Sequence, residues 1–327
     1  MEELIRVENL KKNFPVNKSL VDYLFSGFSQ SVVHAVDDIS FDIKKGEVLG
    51  LAGESGSGKS TTGRLILRLI EPTAGEVYYK GEDLLSIPSH RMERIREKMQ
   101  IVFQDPNSSL SPRMSVGEAI GHPLVIHKRG NAAERKERVL KLMDDIGLSP
   151  ADFYYQKYPH QISGGQSQRI VLARALITNP DFIVADEPIA MADVSVRALI
   201  LEQMRRLKDE FDLTYLFITH DLATAKYLCD RIAIMYLGRI VEIGTRDELF
   251  SNPHHPYTKA LLAAVPVPDP YQKRQEAIVR GEIPSAIEPP SGCHFHPRCP
   301  YAMPKCSEGR PPMKEVAPGH QSACLLD

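Results

Sequence analysis

The segment Gly53-Glu54-Ser55-Gly56-Ser57-Gly58-Lys59-Ser60-Thr61 constrains this chain more than any other stretch. The apolar run before it, Val48-Leu49-Gly50-Leu51-Ala52, has the composition of a buried strand, and residues 60–69 after it suit a helix. Strand, glycine-rich loop and helix in that order are the setting in which G-x-x-x-x-G-K-S binds phosphate. Glycines 53, 56 and 58 let the backbone curl until successive N–H groups point inward at an anion, and the helix start adds its positive dipole end. Lys59 can then reach β- and γ-phosphates, and the Ser60 hydroxyl can ligate magnesium. A glycine-rich turn with a chance lysine is the simpler alternative, but the complete motif in its proper context argues against it. Gly53, Ser55, Gly56, Ser57, Gly58, Lys59, Ser60 and Thr61 are the candidate nucleotide contacts.

With 327 residues, 43% of them hydrophobic, the chain can hold one large α/β domain and a smaller appendage. Lys and Arg total 40 against 42 Asp and Glu, so a net charge of -2 offers no chain-wide attraction to nucleic acid, and none is expected as a partner. No run reaches the roughly 18 apolar residues of a membrane span, and Met1-Glu2-Glu3-Leu4 lacks the pattern of a secretory signal. The expected place is the cytosol, where disulfides are disfavoured. Four of the five cysteines nevertheless lie in the last 35 positions.

Along the chain, strands are expected at 4–10 and 35–43, with an irregular loop over 16–31 between them, and again at 76–80 and 100–103, the last leading to Gln104. An arginine-rich helix covers 91–98. A helical subdomain is expected over about 105–165, including an amphipathic helix over 132–146. A helix over 166–178 leads into the strand Phe182-Ile183-Val184-Ala185, and a further helix spans 196–211. Strands at 213–219, 231–236 and 239–243 close the core, and a short helix follows from Thr245. Beyond 252 the composition turns toward proline, histidine and cysteine, so the expected domains are 1–252 and a C-terminal module over 253–327.

The strand at 182–185 ends in Asp186-Glu187, two carboxylates where an α/β sheet places its ligands. Asp186 suits magnesium and Glu187 suits polarisation of an attacking water. A helix-capping acidic pair is the simpler alternative. With Ile162-Ser163-Gly164-Gly165-Gln166 ahead of Asp186, close to Leu-Ser-Gly-Gly-Gln, the chain resembles the ATP-binding cassette family. The fold implied is α/β, a P-loop, RecA-like cassette with an inserted helical subdomain and a small Cys/Pro-rich C-terminal module. The resemblance implies that two cassettes pack head to tail around two ATP molecules. Ser163, Gly164, Gly165, Gln166 and Asp193 of one subunit then close over the ATP of the other. It also implies that Gln104 senses magnesium and water, that His220 contacts the γ-phosphate and holds Glu187, and that Phe14 stacks on adenine. Catalysis falls to Glu187 and His220, and magnesium to Ser60, Gln104 and Asp186. After Glu187, Pro188-Ile189-Ala190-Met191-Ala192-Asp193 departs from the family's Pro-x-Ser-Ala-Leu-Asp, which puts coupling between the two sites in doubt. Hydrolysis is still expected.

The tail narrows the family. Pro253-His254-His255-Pro256-Tyr257-Thr258-Lys259-Ala260-Leu261-Leu262, Arg280-Gly281-Glu282-Ile283-Pro284 and Gly292-Cys293-His294-Phe295-His296-Pro297-Arg298-Cys299 look like the C-terminal extension of dipeptide and oligopeptide importer ATPases. That resemblance implies a second ATPase subunit, identical or related, two membrane permeases, and an extracytoplasmic substrate-binding protein acting indirectly. It implies peripheral attachment to the cytoplasmic face of the membrane. Coupling helices of the permeases are expected near 104–114. Relatives with this tail also serve nickel or oligosaccharide uptake. Two other readings stay open: a soluble cassette ATPase uncoupled from transport, and a non-hydrolytic ATP-binding partner subunit.

Cys293, Cys299, Cys306 and Cys324 lack the C-x-x-C pairing of common zinc ribbons, so zinc is the alternative ligand. Proteins with this extension are reported to hold a 4Fe-4S cluster, and the resemblance places one on these four residues, as a structural clamp.

Overall fold

The computed structural model describes residues 2–16, 31–190, 194–265 and 280–326. In chain order its strands are β1 (Glu3–Pro15), β2 (Val32–Lys44), β3 (Val48–Ala52), β4 (Ala74–Tyr79), β5 (Glu82–Asp83), β6 (Met99–Val102), β7 (Phe182–Asp186), β8 (Thr214–Thr219), β9 (Arg231–Tyr236), β10 (Arg239–Thr245), β11 (Lys314–Ala317) and β12 (His320–Ser322). The helices are α1 (Lys59–Ile66), α2 (Ser89–Arg96), α3 (Pro106–Ser109), α4 (Val116–Ile126), α5 (Ala132–Asp145), α6 (Ala151–Tyr155), α7 (Gly164–Leu176), α8 (Val194–Phe211), α9 (Leu222–Leu228), α10 (Arg246–Ser251), α11 (Pro256–Ala263) and α12 (Lys305–Glu308). They fall into two compact units. One is built on Ser86–Ile218 with Lys44–Val48, the other on Glu3–Ile43, Leu49–Leu85 and Thr219–Asp327.

In the first unit β6, β7 and β8 pair in parallel, with Met99 opposite Phe182 and Phe182 opposite Thr214. Every residue of β7 and β8 is buried, which explains why they read as unbroken apolar runs and not as alternating ones. Between β6 and β7 the chain is helical. Ser115 and Asn131 cap α4 and α5 with reciprocal Glu118 and Glu134 bonds, so both helices start where side chains satisfy their first N–H groups. Val139, Leu142 and Met143 form the buried stripe of α5. Arg129, just past α4, grips Glu97 at 2.7 and 2.8 Å, tying the helical stretch to the residue two before β6.

In the second unit the order β2-β1-β4-β5 makes one sheet, and β11-β12-β10-β9-β3 lie in succession in another. β3 runs parallel to β9, with Leu49 opposite Arg231. β12 pairs antiparallel with β10, Glu242 opposite Ser322. The composition change at 252 therefore marks no break in backbone pairing.

Several expected bounds shift. Strands β1 and β2 outrun the expected 4–10 and 35–43. The helix expected over 60–69 ends at Ile66, because Arg68 takes a left-handed conformation (φ 48°) and turns its guanidinium to the Leu84 carbonyl at 2.9 Å. α7 starts two residues before the expected Gln166, since Ser163 is its cap. The expected loop over 16–31 falls almost wholly outside the described residues.

Candidate functional site

In the second unit β3 runs into the glycine loop, and the packing demands glycine at two positions. A Cβ on Gly53 would drive into the Met235 carbonyl, and one on Gly58 (φ 107°) into the Ala35 carbonyl. Lys59, only 4% exposed, opens α1 and turns back over the loop. Its ammonium donates to the Gly53 and Glu54 carbonyls at 2.8 Å each and lies 3.4 Å from Ser57 Oγ. Ser57 is buried, whereas Ser55 and Gly56 face outward and Ser60 and Thr61 are half-buried. The loop is anchored at its carbonyl side too: Gly238 N–H donates to Ser57 O at 2.9 Å.

Glu54 is the loop residue that sequence reasoning passed over. Its N–H donates to Tyr257 Oη at 2.9 Å. Its carboxylate takes both terminal nitrogens of Arg298, at 2.9 and 3.3 Å. Tyr257 and Arg298 both stood in the quoted tail motifs, but separations of 203 and 244 residues give no sequence signal for either contact.

The first unit carries the other predicted groups. Asp186 ends β7 and is 5% exposed. Glu187 follows with φ 48°, a left-handed conformation for a non-glycine residue, fixed by its N–H donating to the Ile218 carbonyl at 3.0 Å. Gln104 donates its side-chain amide to Glu187 Oε2 at 3.0 Å, a link that the sequence reading, which gave the holding of Glu187 to His220, did not anticipate. The buried Gln168 side chain donates to the Pro188 carbonyl, a brace on the segment after Glu187 that went unnoticed in the sequence. Ser163 accepts from the Gln166 N–H at 3.4 Å while Gln166 Oε1 accepts from the Ser163 N–H at 2.9 Å. Ser163 and Gln166 thus form a capping box, which leaves Ser163 and Gly164 exposed at the start of α7.

Other expected residues are more scattered. His220 directly follows β8 and is exposed, flanked by Thr219 and by Asp221, which caps α9. Phe14 lies on β1, 37% exposed, with the Lys12 ammonium 5.0 Å from its ring centre. Asp193 lies outside the described residues.

All five cysteines are uncrosslinked. Cys299, Cys306 and Cys324 are buried and Cys293 half-buried, and the Cys293 N–H donates to the Cys306 carbonyl at 2.8 Å. Burial pushes the Cys293 and Cys299 thiols up, and the neighbouring Cys306 adds to it. Among the described residues no group of three or more His, Cys, Asp or Glu side chains is arranged to hold a metal ion. The 4Fe-4S cluster and the alternative zinc expected on Cys293, Cys299, Cys306 and Cys324 therefore find no support in this geometry.

The family model described as ABC transporter matches residues 36–190, and that for the oligopeptide/dipeptide transporter C-terminal region matches 241–306. The chain is 44% identical to the oligopeptide transport ATP-binding protein AppF of Bacillus subtilis (strain 168), over 99% of this chain and 98% of that one. This chain belongs to the peptide-importer branch of the ATP-binding cassette ATPases. The dipeptide transport ATP-binding protein DppF of Haemophilus influenzae is 47% identical, over 98% of this chain and 96% of its own length. Among solved structures, the cassette MJ0796, a dimer in a post-hydrolysis state bound to ADP and Pi, superposes with a TM-score of 0.64. That match has 29% identity and covers 74% of this chain and 99% of the other. The residues matched by the ABC transporter family model include the glycine loop, the Ser163 segment and Asp186-Glu187. Among the described residues no helix is long and apolar enough to cross a membrane.

Proposed function

We propose that this chain is the ATP-binding and ATP-hydrolysing subunit of an importer for dipeptides or oligopeptides. It would pair head to tail with a second cassette, identical or related, and drive two membrane permeases served by an extracytoplasmic binding protein, from the cytoplasmic face of the membrane. The observation that carries this reading is the match to importer ATPases over nearly the whole chain, tail included. Nucleotide phosphates would lie against the loop N–H groups and Lys59, with Phe14 against adenine. Ser60, Asp186 and Gln104 offer a hydroxyl, a carboxylate and an amide, the oxygen set a hard cation takes, and bound Mg2+ would neutralise phosphate charge. Glu187, oriented by Gln104, would accept the proton of the attacking water, and His220 would steady the γ-phosphate. Ser163, Gly164, Gly165, Gln166 and Asp193 would serve the nucleotide of the partner subunit. Closure by both chains excludes water other than the nucleophile, so hydrolysis should need the dimer.

Ser108, Ser111 and Arg113 are exposed near the start of the helical stretch, where permease coupling helices would dock. The double variant Ser111→Arg, Arg113→Glu is expected to remove most peptide uptake in a reconstituted importer while ATP affinity of the purified chain stays the same. Undiminished uptake would reject the docking assignment.

The four thiols of the C-terminal module are the donors a 4Fe-4S cluster or a zinc ion would use, and in this reading such a group acts as a clamp outside the ATPase chemistry. Protein purified without oxygen is then expected to absorb in the visible and to carry iron and sulfide. Colourless protein with zinc or no metal removes the cluster from the proposal.

A further inference from the structure

We infer that Arg298 and Tyr257 are positioning residues for the phosphate loop, so that the C-terminal cysteine module sets how tightly this cassette holds nucleotide. Glu54 is held at three points. Its N–H is given to Tyr257 Oη, its carboxylate to Arg298, and its carbonyl accepts from the Lys59 ammonium at 2.8 Å. Any displacement of Glu54 therefore moves one of the two carbonyls on which Lys59 rests.

Neither outer partner belongs to the loop's own strand or helix. Tyr257 sits in the first turn of α11 and is 1% exposed. Arg298 lies between Pro297 and Cys299 in the cysteine module, with the guanidinium 5.8 Å from the Tyr236 ring centre and 5.9 Å from that of Phe295. The rings of Tyr236, Tyr257 and Phe295 pack on one another with centroids 4.6 to 5.3 Å apart. These three rings join β9, α11 and the cysteine module into one block behind Glu54. The module's own backbone bonds hold Arg298 in place: its N–H donates to the Phe295 carbonyl at 3.0 Å, and its carbonyl accepts from Arg280 at 3.1 Å.

The Arg298 side chain is 11% exposed and that of Glu54 28%, so their bidentate bond is partly shielded from water and favours one loop conformation over the many a glycine-rich segment could adopt. A loop ordered before nucleotide arrives spends less of the binding energy on ordering it. The recognition chemistry stays with the loop and Lys59, while the tail decides how often the loop is ready.

This inference rests on the ATP-binding reading above, and the test separates the two. Mg-ATP affinity is measured on the full chain for the wild type, Arg298→Gln, Tyr257→Phe, Arg298→Lys and the swap Arg298→Glu with Glu54→Arg, alongside each protein's thermal unfolding midpoint. Arg298→Gln is expected to weaken affinity about 10-fold, since a charge-assisted, partly buried bond is lost. Tyr257→Phe should weaken it several-fold, and Arg298→Lys and the swap should regain part of the loss. The variants' affinities should follow the Glu54 contacts and not their unfolding midpoints. A wild type that fails to bind Mg-ATP overturns the ATPase reading. A wild type that binds while Arg298→Gln binds equally well, or loses affinity only in proportion to its unfolding midpoint, overturns the positioning role.

Discussion

Replacing Glu187 by Gln is expected to cut steady-state ATP hydrolysis by about 100-fold or more, the scale of losing a general base. ATP binding should survive. The amide is isosteric with the carboxylate, so the Gln104 side chain can still donate to an oxygen at position 187, and the backbone bond from residue 187 to the Ile218 carbonyl does not involve the side chain. What disappears is the negative charge that would take a proton from water. The variant should also accumulate as an ATP-loaded dimer, because closure persists when the reaction that reopens it is blocked. Turnover and size-exclusion elution with and without Mg-ATP provide the check. Equal turnover of wild type and variant would instead favour the non-hydrolytic partner subunit, the reading prompted by the unusual Ala190-Met191-Ala192-Asp193.

Lys59→Ala should act one step earlier and weaken Mg-ATP affinity by about 100-fold, from loss of charge-assisted bonds worth about 1.5–3 kcal/mol each. Two effects combine. In the proposed site the phosphates lose a cation, and the Gly53 and Glu54 carbonyls lose the ammonium that bridges them at 2.8 Å. Calorimetric titration with Mg-ATP measures the loss, and an unchanged affinity would mean that the glycine loop is not the nucleotide site. Because β3 is buried without help from Lys59, circular dichroism of the variant should match the wild type.

The parts of this chain that the sequence made legible are those where one local rule dominates. Phe182-Ile183-Val184-Ala185 could only be a strand covered on both faces, and the structure extends it by one residue to Asp186. Family resemblance singled out Glu187 and Gln104 separately, and the 3.0 Å bond between them is visible only once their places after β7 and β6 are known. Elements that depend on distant partners were not legible. The β11–β12 hairpin has strands of four and three residues, too short for alternation to stand out, and it exists because β10 offers an edge. Helix α11 was missed although Pro256 at its first position is an ordinary start signal; its cap is His255, an uncommon one, and the prolines and histidines around it stand out only as a change of composition. The cysteines illustrate a different gap. Spacing along the chain brought out four thiols in one module, but how burial and backbone turns aim each sulfur is a property of the packed module alone.

The left-handed backbone at Glu187 carries a consequence for how this protein can change. A glycine there would adopt the same angles at no steric cost, and the core around β7 would keep its packing. If Glu187 is the proton acceptor proposed above, its carboxylate is carried on a backbone that suits glycine better, so relieving the local strain there would remove the very group the reaction needs.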